Sequence, residues 1–421
     1  MRIRHLVFSL GIGGTERAAQ NLAIGTAQHG HITDLVSLQD GPRKESLTSQ
    51  GVQVQVLGQD LSAQAITSSD VDALVIHSHG LGNTTVSDVM QRSGQPQVAE
   101  INVFSEPSPW MDRVDVSFQL SPWAHWLYVQ RDGDAQRAST LPYPVEDTGF
   151  FKDIGAGRTF RDEHRIPRDA LVIGRIGQRY EGKWSPWLVN SFSQLRTAGN
   201  KVHLLLIGAP PSVVESAQRY VEDGCATIVD RVTGDDHLRG AYNAMDVFAH
   251  SAQQGESFGY VLAEAALCEI PIVTMSTPWA DNSQGWVAGP SAAVAITPRG
   301  FTSAIDQLGP QGTQQERNRR GRDGRQHIVD SFALNSVVEN MLSVLLDQQQ
   351  ISRLPSASEL NGEPYRGFDQ PSLLRALSHN PNSRISGPIS GQESWRWFLT
   401  GELNVRGISR HSLRRSQSTD Q

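Results

Sequence analysis

Two glutamates bracket the start of a predicted helix in the segment 255–264, Gly-Glu-Ser-Phe-Gly-Tyr-Val-Leu-Ala-Glu. The apolar run 247–249 just before it predicts a strand, and the helix is predicted to begin at about Ser257. Glu256 then lies at the carboxyl end of a strand, where open α/β sheets bind their ligands. Glu264, about two turns into the helix, is expected to point back toward the same place.

The predicted helix start also offers backbone N–H groups, those of Phe258 and Gly259, beside the partial positive charge of a helix end. Such an end can hold a phosphate or a sugar hydroxyl. Carboxylates on both sides of these amides suit a ligand with hydroxyl groups at both ends and phosphate between them, as in a nucleotide sugar. Glutamates at this spacing also occur as solvated residues on many helices. The surrounding strand, glycines and helix favour the ligand-binding interpretation.

A second candidate is the segment 173–184, Ile-Gly-Arg-Ile-Gly-Gln-Arg-Tyr-Glu-Gly-Lys-Trp, where a predicted strand leads into a glycine-rich loop. Arg175 ends the strand, and Lys183 is one of only four lysines in the chain. An arginine can hold a diphosphate with two parallel hydrogen bonds, and a lysine can supply a point charge to a leaving group. The alternative is an exposed basic pair without a ligand.

Short apolar runs alternate with helical patterns along most of the chain, which predicts an α/β protein with doubly wound parallel sheets. The predicted strands are 5–10, 34–38, 52–57, 73–76, 114–118, 171–175, 202–207, 227–229, 247–249 and 271–274. The predicted helices are 15–27, one opening at Ser121-Pro122, 187–197, and 330–346.

The chain of 421 residues is too long for one ordinary core, so more than one domain is expected. The predicted boundaries are a first domain 1–148, a second domain 149–330, a helix 331–350 and a mostly disordered tail 351–421. In the tail, Ser, Pro and Arg accompany only scattered apolar residues. Its composition favours a solvated tail over peripheral contact with an anionic membrane surface.

Composition excludes several classes of function. The net charge of -7 argues against a nucleic-acid partner. Cys225 and Cys268 have neither a metal-ligand spacing nor a disulfide framework, so a reducing, cytoplasmic setting is expected. The apolar N-terminus is predicted to be a strand rather than a signal peptide, because no small-residue cleavage site follows it. The sequence contains no apolar run of the ~18 residues that a membrane span requires.

The strand–Gly–Glu–x–Phe–Gly–helix segment resembles the E-x7-E motif of the retaining GT-B glycosyltransferases of family 4, the glycosyl transferases of group 1. The resemblance spans about 3–346 and is strongest over 171–274. It implies two Rossmann-like domains facing across a cleft, with an acceptor domain first and a nucleotide-sugar donor domain second. It also implies that the helix 331–350 packs back toward the first domain.

The resemblance assigns roles to the residues of the two segments. Glu256 would contact the hydroxyls of the donor sugar, and Glu264 those of the ribose. Arg175 and Lys183 match the family's G-R…K-G pattern and would stabilise the leaving diphosphate. The chain departs from that pattern after the lysine, where Trp184 replaces the usual glycine.

Weaker similarities extend the site. The backbone near Val232 and Leu238 would read the nucleobase, and the amides of Gly13 and Gly14 would face the diphosphate. His79 matches a family histidine near the reacting carbon; a structural histidine bonded to a nearby carbonyl is nearly as plausible an interpretation.

Other interpretations of these segments fit less well. The first glycine loop fails the dinucleotide fingerprint because Glu16 takes the place of the third glycine. The two Asp-x-Asp strings, 70–72 and 132–134, lie far from the donor motifs and are interpreted as chance. Three tryptophans are candidates either for an acceptor pocket or for the core: Trp110, Trp123 and Trp126.

The family resemblance implies a hexosyltransferase that moves a sugar from a UDP- or GDP-linked donor to a hydroxyl of a glycan or lipid-linked acceptor. Configuration would be retained, no metal would be required, and the setting would be polysaccharide assembly in the cytoplasm, at the inner face of the membrane. The alternatives are a nucleotide-sugar hydrolase, epimerase or phosphorylase with the same donor site, and a non-catalytic sugar-nucleotide-binding protein.

Overall fold

The computed structural model of the protein describes residues 1–58, 70–277, 281–295 and 297–360. The chain forms two compact units. Unit 1 comprises Met1–Glu146 and Ser331–Ser356, and unit 2 comprises Asp147–Asp330 together with the described residues 357–360. Most of the predicted tail, 361–421, lies outside the described residues. Within the described part of the chain, no helix has the length and apolar character needed to cross a bilayer.

Unit 1 is built on a seven-stranded sheet in the order β3-β2-β1-β4-β5-β6-β7, with every pair parallel. Its strands are β1 Arg2–Ser9, β2 Ile32–Gln39, β3 Gln53–Val56, β4 Ala73–His77, β5 Gln97–Asn102, β6 Val116–Gln119 and β7 Ala138–Thr140. Its first four helices are α1 Gly14–Gln28, α2 Arg43–Ser49, α3 Asn83–Arg92 and α4 Pro122–Gln130. The predicted start of α4 is confirmed, because Ser121 Oγ accepts a hydrogen bond from the Ala124 amide and Pro122 occupies the first turn.

Unit 2 has a six-stranded parallel sheet in the order β10-β9-β8-β11-β12-β13. Its strands are β8 Leu171–Ile176, β9 Val202–Ile207, β10 Ala226–Val229, β11 Val247–His250, β12 Ile272–Met275 and β13 Ala293–Ala295. Its helices are α5 Ile154–Glu163, α6 Trp187–Thr197, α7 Pro211–Glu222, α8 Asp235–Asn243, α9 Tyr260–Leu267, α10 Gln284–Ala288, α11 Pro298–Leu308 and α12 Gln314–Phe332. α12 is followed by α13 Leu334–Leu346 in unit 1 and the short α14 Ala357–Leu360 in unit 2.

The central strands are buried along most of their length because helices cover both faces of each sheet. All six residues of β9, Val-His-Leu-Leu-Leu-Ile, are buried, and strands covered on both faces typically read as continuous apolar runs. The predicted α/β class with two doubly wound parallel sheets is confirmed. Several predicted boundaries shift slightly, as in β6, which begins at Val116 rather than residue 114.

The last long helix begins four residues later than predicted. Ala333 has an extended backbone and forms a parallel bridge with Val145, so the helical path stops at the end of α12 and restarts at Leu334. The new helix α13 packs on α1 in unit 1. A Cβ at Gly25 of α1 would lie 2.5 Å from a methyl group of Val338, so only glycine permits this close approach.

Candidate functional site

The best-developed polar cluster lies in unit 2 where the strand order of the sheet reverses. β8 and β11 are hydrogen-bonded neighbours there, although two other strands separate them in sequence. The loop that follows β8, residues 177–186, and the loop that follows β11, residues 251–259, both leave the carboxyl edge. Open α/β sheets bind ligands at such a switch point, outside the carboxyl ends of the strands.

Lys183 and Glu256 form an ion pair between these two loops. Lys183 Nζ lies 2.6 Å from Glu256 Oε2 and 3.3 Å from the carbonyl oxygen of Gly255. The lysine side chain is 27% exposed, whereas that of the glutamate is 11% exposed. These contacts use two of the three N–H donors of the ammonium group.

His250, which ends β11, is a member of the cluster that the sequence analysis missed. Its Nε2 lies 3.0 Å from Glu256 Oε1, and its Nδ1 lies 3.2 Å from Thr274 Oγ1. Burial, reinforced by nearby Arg175, lowers the pKa of His250 to about 4, so the ring is neutral at pH 7. Because an ionised carboxylate only accepts, Nε2–H must donate to Glu256, and the Thr274 hydroxyl must donate to Nδ1.

Glu256 is a buried carboxylate that stays ionised. Burial by itself would raise its pKa, but the charge of Lys183 and the hydrogen bonds from His250 and Lys183 outweigh burial. The pKa of Glu256 therefore lies well below its usual range. An ionised carboxylate offers several lone pairs, which suits it to accept hydrogen bonds from sugar hydroxyls.

Arg175, the residue expected to clamp a diphosphate, is 1% exposed. Its Nη2 donates to the backbone carbonyl of Lys183. Burial lowers the pKa of Arg175 to about 10 although Glu256 and Tyr242 act in the opposite direction, and the guanidinium stays charged at pH 7. Its Nε and Nη1 are buried and find no hydrogen-bond partner among the described residues, which is costly unless a ligand supplies one.

Trp184, the departure from the family pattern, is a structural residue of the loop after β8. Its ring is buried and lies 4.7 Å from the guanidinium carbon of Arg175. The indole Nε1 donates to the carbonyl of Gln178 at 2.9 Å. The Gln254 amide in turn donates to the carbonyl of Gly182 at 3.1 Å, which ties the two loops together. The tryptophan therefore holds both the loop and the arginine in place.

The helix that follows Glu256 begins at Tyr260 rather than at about Ser257. Gly259 has a φ of 95°, and this left-handed conformation prevents the helix from extending further back. Phe258 therefore precedes the helix, and its side chain is buried. Glu264 is the fifth residue of α9, nearer to the helix start than predicted.

Glu264 is also buried, and it is held by a residue from α8. Tyr242 donates its hydroxyl hydrogen to Glu264 Oε2 at 2.7 Å. Tyr242 packs on Phe248 of β11, and Phe248 packs on His250. The structure thus joins Glu264, through these rings, to the same cluster that contains Glu256.

The segment expected to bind the nucleobase, residues 232–238, is largely exposed to solvent. Val232 lies in the loop after β10 and Leu238 on α8, and both side chains are half-buried. Gly234 starts α8 with a φ of 84°. The described residues do not connect this segment to the Lys183–Glu256 pair by a hydrogen bond.

A polar segment after β12, residues 281–284, forms hydrogen bonds with the loop that carries Glu256. The sequence analysis assigned this segment no role. Gln284 donates to the carbonyl of Met275, and its Oε1 accepts from the Glu256 amide at 3.3 Å. Ser257 donates to Asp281 at 3.1 Å. The signal in the sequence is the run of four polar residues at 281–284, which follows a predicted strand.

In unit 1 the corresponding switch point lies between β1 and β4. Gly13 caps α1, which begins at Gly14. A Cβ at Gly13 would lie 2.2 Å from Glu16 Oε2, and Glu16 Oε1 accepts from Ser9 Oγ at 2.8 Å. The Glu16 carboxylate therefore folds over the glycine loop.

His79 follows β4 and is exposed, with its ring edge against Phe104 at a centroid distance of 5.0 Å. The neighbouring His77 is buried instead, with its Nε2 3.2 Å from Nδ1 of His5 on β1. His77 is thus the structural histidine of the pair. The three tryptophans of the acceptor-pocket hypothesis are core residues, with exposed fractions of 5% or less: Trp110, Trp123 and Trp126.

Comparison with known proteins identifies the family that the chain resembles. Residues 167–308 match the sequence model of the family described as "Glycosyl transferases group 1". The matched stretch contains the whole Arg175, Lys183, Glu256 and Glu264 set. The predicted resemblance to the glycosyl transferases of group 1 is confirmed over these residues.

One curated relative and several solved structures extend the comparison. The capsular polysaccharide biosynthesis glycosyltransferase CapM of Staphylococcus aureus is 24% identical over 185 residues, or 43% of this chain and 47% of CapM. The match therefore spans about half the length of that relative.

Solved structures show the fold. Anabaena HepE, in complex with UDP and glucose, has a TM-score of 0.67 and 14% identity, with 82% of this chain and 100% of that chain covered. A glycosyltransferase from Rickettsia africae has a TM-score of 0.66 and 12% identity, with 83% and 99% covered. Sucrose-phosphate synthase of Thermosynechococcus elongatus has a TM-score of 0.64 and 15% identity, with 83% and 99% covered. The two Rossmann-like units have the GT-B fold.

Proposed function

We propose that the protein is a retaining glycosyltransferase that binds a nucleoside-diphosphate sugar at the switch point of unit 2. The observation that carries the proposal is a largely buried cluster at the carboxyl ends of β8 and β11, formed by Arg175, Lys183, His250 and Glu256. It combines cations for a diphosphate with an ionised carboxylate for sugar hydroxyls. The family match over 167–308 and the UDP and glucose bound to HepE support this choice of ligand.

In the proposed reaction, the bond between the anomeric carbon and the diphosphate breaks, and the diphosphate leaves with the electron pair. Arg175 and Lys183 stabilise the charge that builds on it, usually the largest contribution in such sites. The acceptor hydroxyl forms the new glycosidic bond on the same face, and its proton passes to the leaving phosphate oxygen. No metal is required, because these side chains supply the positive charge.

Other parts of the proposal rest on the resemblance alone. Glu264 would bind the ribose, and the backbone near Val232 and Leu238 the base. In unit 1, Gly13 and Gly14 would offer amides to the diphosphate. His79 would lie near the reacting carbon.

The proposed acceptor is a glycan or a lipid-linked sugar at the inner face of the membrane, and the proposed donor sugar is a hexose. The name of CapM, a capsular polysaccharide biosynthesis glycosyltransferase, supports a polysaccharide product.

The test is a thermal-shift screen of the full chain with UDP, GDP and ADP, repeated on Lys183→Ala and Glu264→Ala. We expect one diphosphate to raise the melting temperature of the wild type, and both substitutions to reduce that shift. A shift that survives both substitutions would contradict the proposed site. Incubation with the matching nucleotide sugar and an acceptor then separates transfer from release of free sugar or an epimer.

A further inference from the structure

Three side chains that can bind a metal meet where α5 and α8 of unit 2 contact each other. Glu163 is the last residue of α5, His164 follows it directly, and His237 lies in the first turn of α8. His237 Nε2 is 3.4 Å from Glu163 Oε2, and His164 Nε2 is 3.9 Å from Glu163 Oε1. The ligand atoms of all three side chains lie within 4.8 Å of one another.

This spacing is close to what a tetrahedral zinc site needs. Zinc binds imidazole nitrogen and carboxylate oxygen at about 2.0–2.2 Å, so ligand atoms around it lie roughly 3.3 Å apart. Each histidine nitrogen is already within about 0.6 Å of that separation from one carboxylate oxygen of Glu163, Oε2 for His237 and Oε1 for His164. The remaining separation, between the ligand nitrogens of His164 and His237, is at most 4.8 Å, and small side-chain rotations would shorten it.

Ring packing fixes the orientation of the two histidines. Their rings are nearly parallel, with an interplanar angle of 17° and centroids 6.4 Å apart. The Phe160 ring packs against both, at 4.3 Å from His164 and 5.5 Å from His237. His164 Nε2 is buried and has no hydrogen-bond partner among the described residues, so the atom facing the cluster lacks the contact that burial normally requires.

We propose that Glu163, His164 and His237 bind a zinc ion, with water as the fourth ligand. Two imidazoles and one carboxylate are a ligand set that zinc accepts. The ion would join the C-terminal end of α5 to the first turn of α8 and so stabilise unit 2. The site is separate from the Lys183–Glu256 pair and goes beyond the proposed function, which requires no metal.

The test is a titration of the full chain with zinc chloride in competition with a chromophoric zinc chelator. We expect the wild type to take up one equivalent. His164→Gln and His237→Gln are each expected to weaken binding at least tenfold, because each removes one of three protein ligands. His31→Gln is the matched control, since it removes a histidine from unit 1 and should leave the affinity unchanged.

Melting curves without zinc identify any variant that fails to fold, and Glu163→Gln, at a mostly exposed side chain, serves as a third variant. Zinc should raise the melting temperature of the wild type and of His31→Gln but not of His237→Gln. The proposal is overturned if the wild type binds no zinc, or if folded cluster variants bind it as tightly as the wild type.

Discussion

One buried glutamate of unit 1, Glu100, and one of unit 2, Glu256, have opposite acid–base behaviour. Glu100 on β5 of unit 1 is 1% exposed, and Glu256 after β11 of unit 2 is 8% exposed. Burial raises the pKa of Glu100 to about 7, although Ser117 donates a hydrogen bond to it. The pKa of Glu256 is instead held well below its usual range by Lys183 and His250.

The difference shows that the neighbours, rather than the depth of burial, decide the charge. The neutral hydroxyl of Ser117 contacts the carboxyl of Glu100, whereas an ammonium and an imidazole N–H contact Glu256. A carboxyl in neutral surroundings is easily protonated, and one beside a cation stays ionised. Only the second arrangement provides a permanent negative charge for a ligand near pH 7.

The largest expected effect comes from removing the cation beside Glu256. Lys183→Ala should lower the rate of sugar transfer about 10²–10³-fold, because the leaving diphosphate loses a charged donor. Transfer is measured with the sugar nucleotide whose diphosphate binds best in the thermal-shift screen. The control is Lys201→Ala, at an exposed lysine before β9, which should transfer at the wild-type rate. Wild-type transfer by Lys183→Ala would exclude the proposed role of the lysine.

The second effect tests the raised pKa of Glu100, the buried glutamate of unit 1 that accepts a hydrogen bond from a neutral hydroxyl. Its folded pKa of about 7 exceeds its ordinary value of 4.5, so the folded state holds the proton more tightly. Wild-type stability should therefore fall as the pH rises from 4.5 through 7, by about 3 kcal/mol in total. Glu100→Gln should abolish this loss, as measured by urea unfolding at pH 5 and pH 8. An equal pH dependence in the two proteins would show that Glu100 is not the group responsible.

A smaller effect is expected at Glu264. Glu264→Gln keeps the shape of the side chain but removes its charge, and hydrogen bonds to a charged group contribute about 1.5–3 kcal/mol. Nucleoside diphosphate affinity should fall about tenfold or more, measured by calorimetry. Tyr242→Phe, which removes the donor to Glu264, should lower the affinity less. A larger loss for the tyrosine variant would indicate that Glu264 acts mainly as a structural partner.

The smallest effect should come from His250, which positions Glu256. His250→Leu should lower kcat/KM severalfold, and His250→Gln, whose amide can donate to Glu256, should recover part of the loss. The folded pKa of about 4 lies below the ordinary 6.5, so His250 lowers stability as the pH falls from 6.5 toward 4. His250→Leu should weaken that pH dependence, measured by thermal unfolding. Equal kinetics in the leucine and glutamine variants would contradict a positioning role.

Local patterns in the sequence were enough to predict most of the elements of both sheets. The helix 187–197 and the strand 202–207 match α6 and β9 residue for residue. Capping residues identified the start of α4. The prediction failed where backbone conformation depended on a single residue, as at Gly259, or on a distant partner, as at Ala333 and Val145.

Arg175, Lys183 and Glu256 were predictable because they lie at or just after the carboxyl ends of parallel strands, and these ends necessarily share one edge of a sheet. The sequence by itself determined that edge, its charged residues and the family that they resemble. The tertiary structure alone decided which polar atoms touch: His250 with Glu256, Tyr242 with Glu264, and Glu163 with His237. The physical reason is that a hydrogen bond or a metal site forms only when its atoms are positioned to within a few tenths of an ångström. The residues that supply these atoms are far apart in the chain. Local propensity carries no information about such distances.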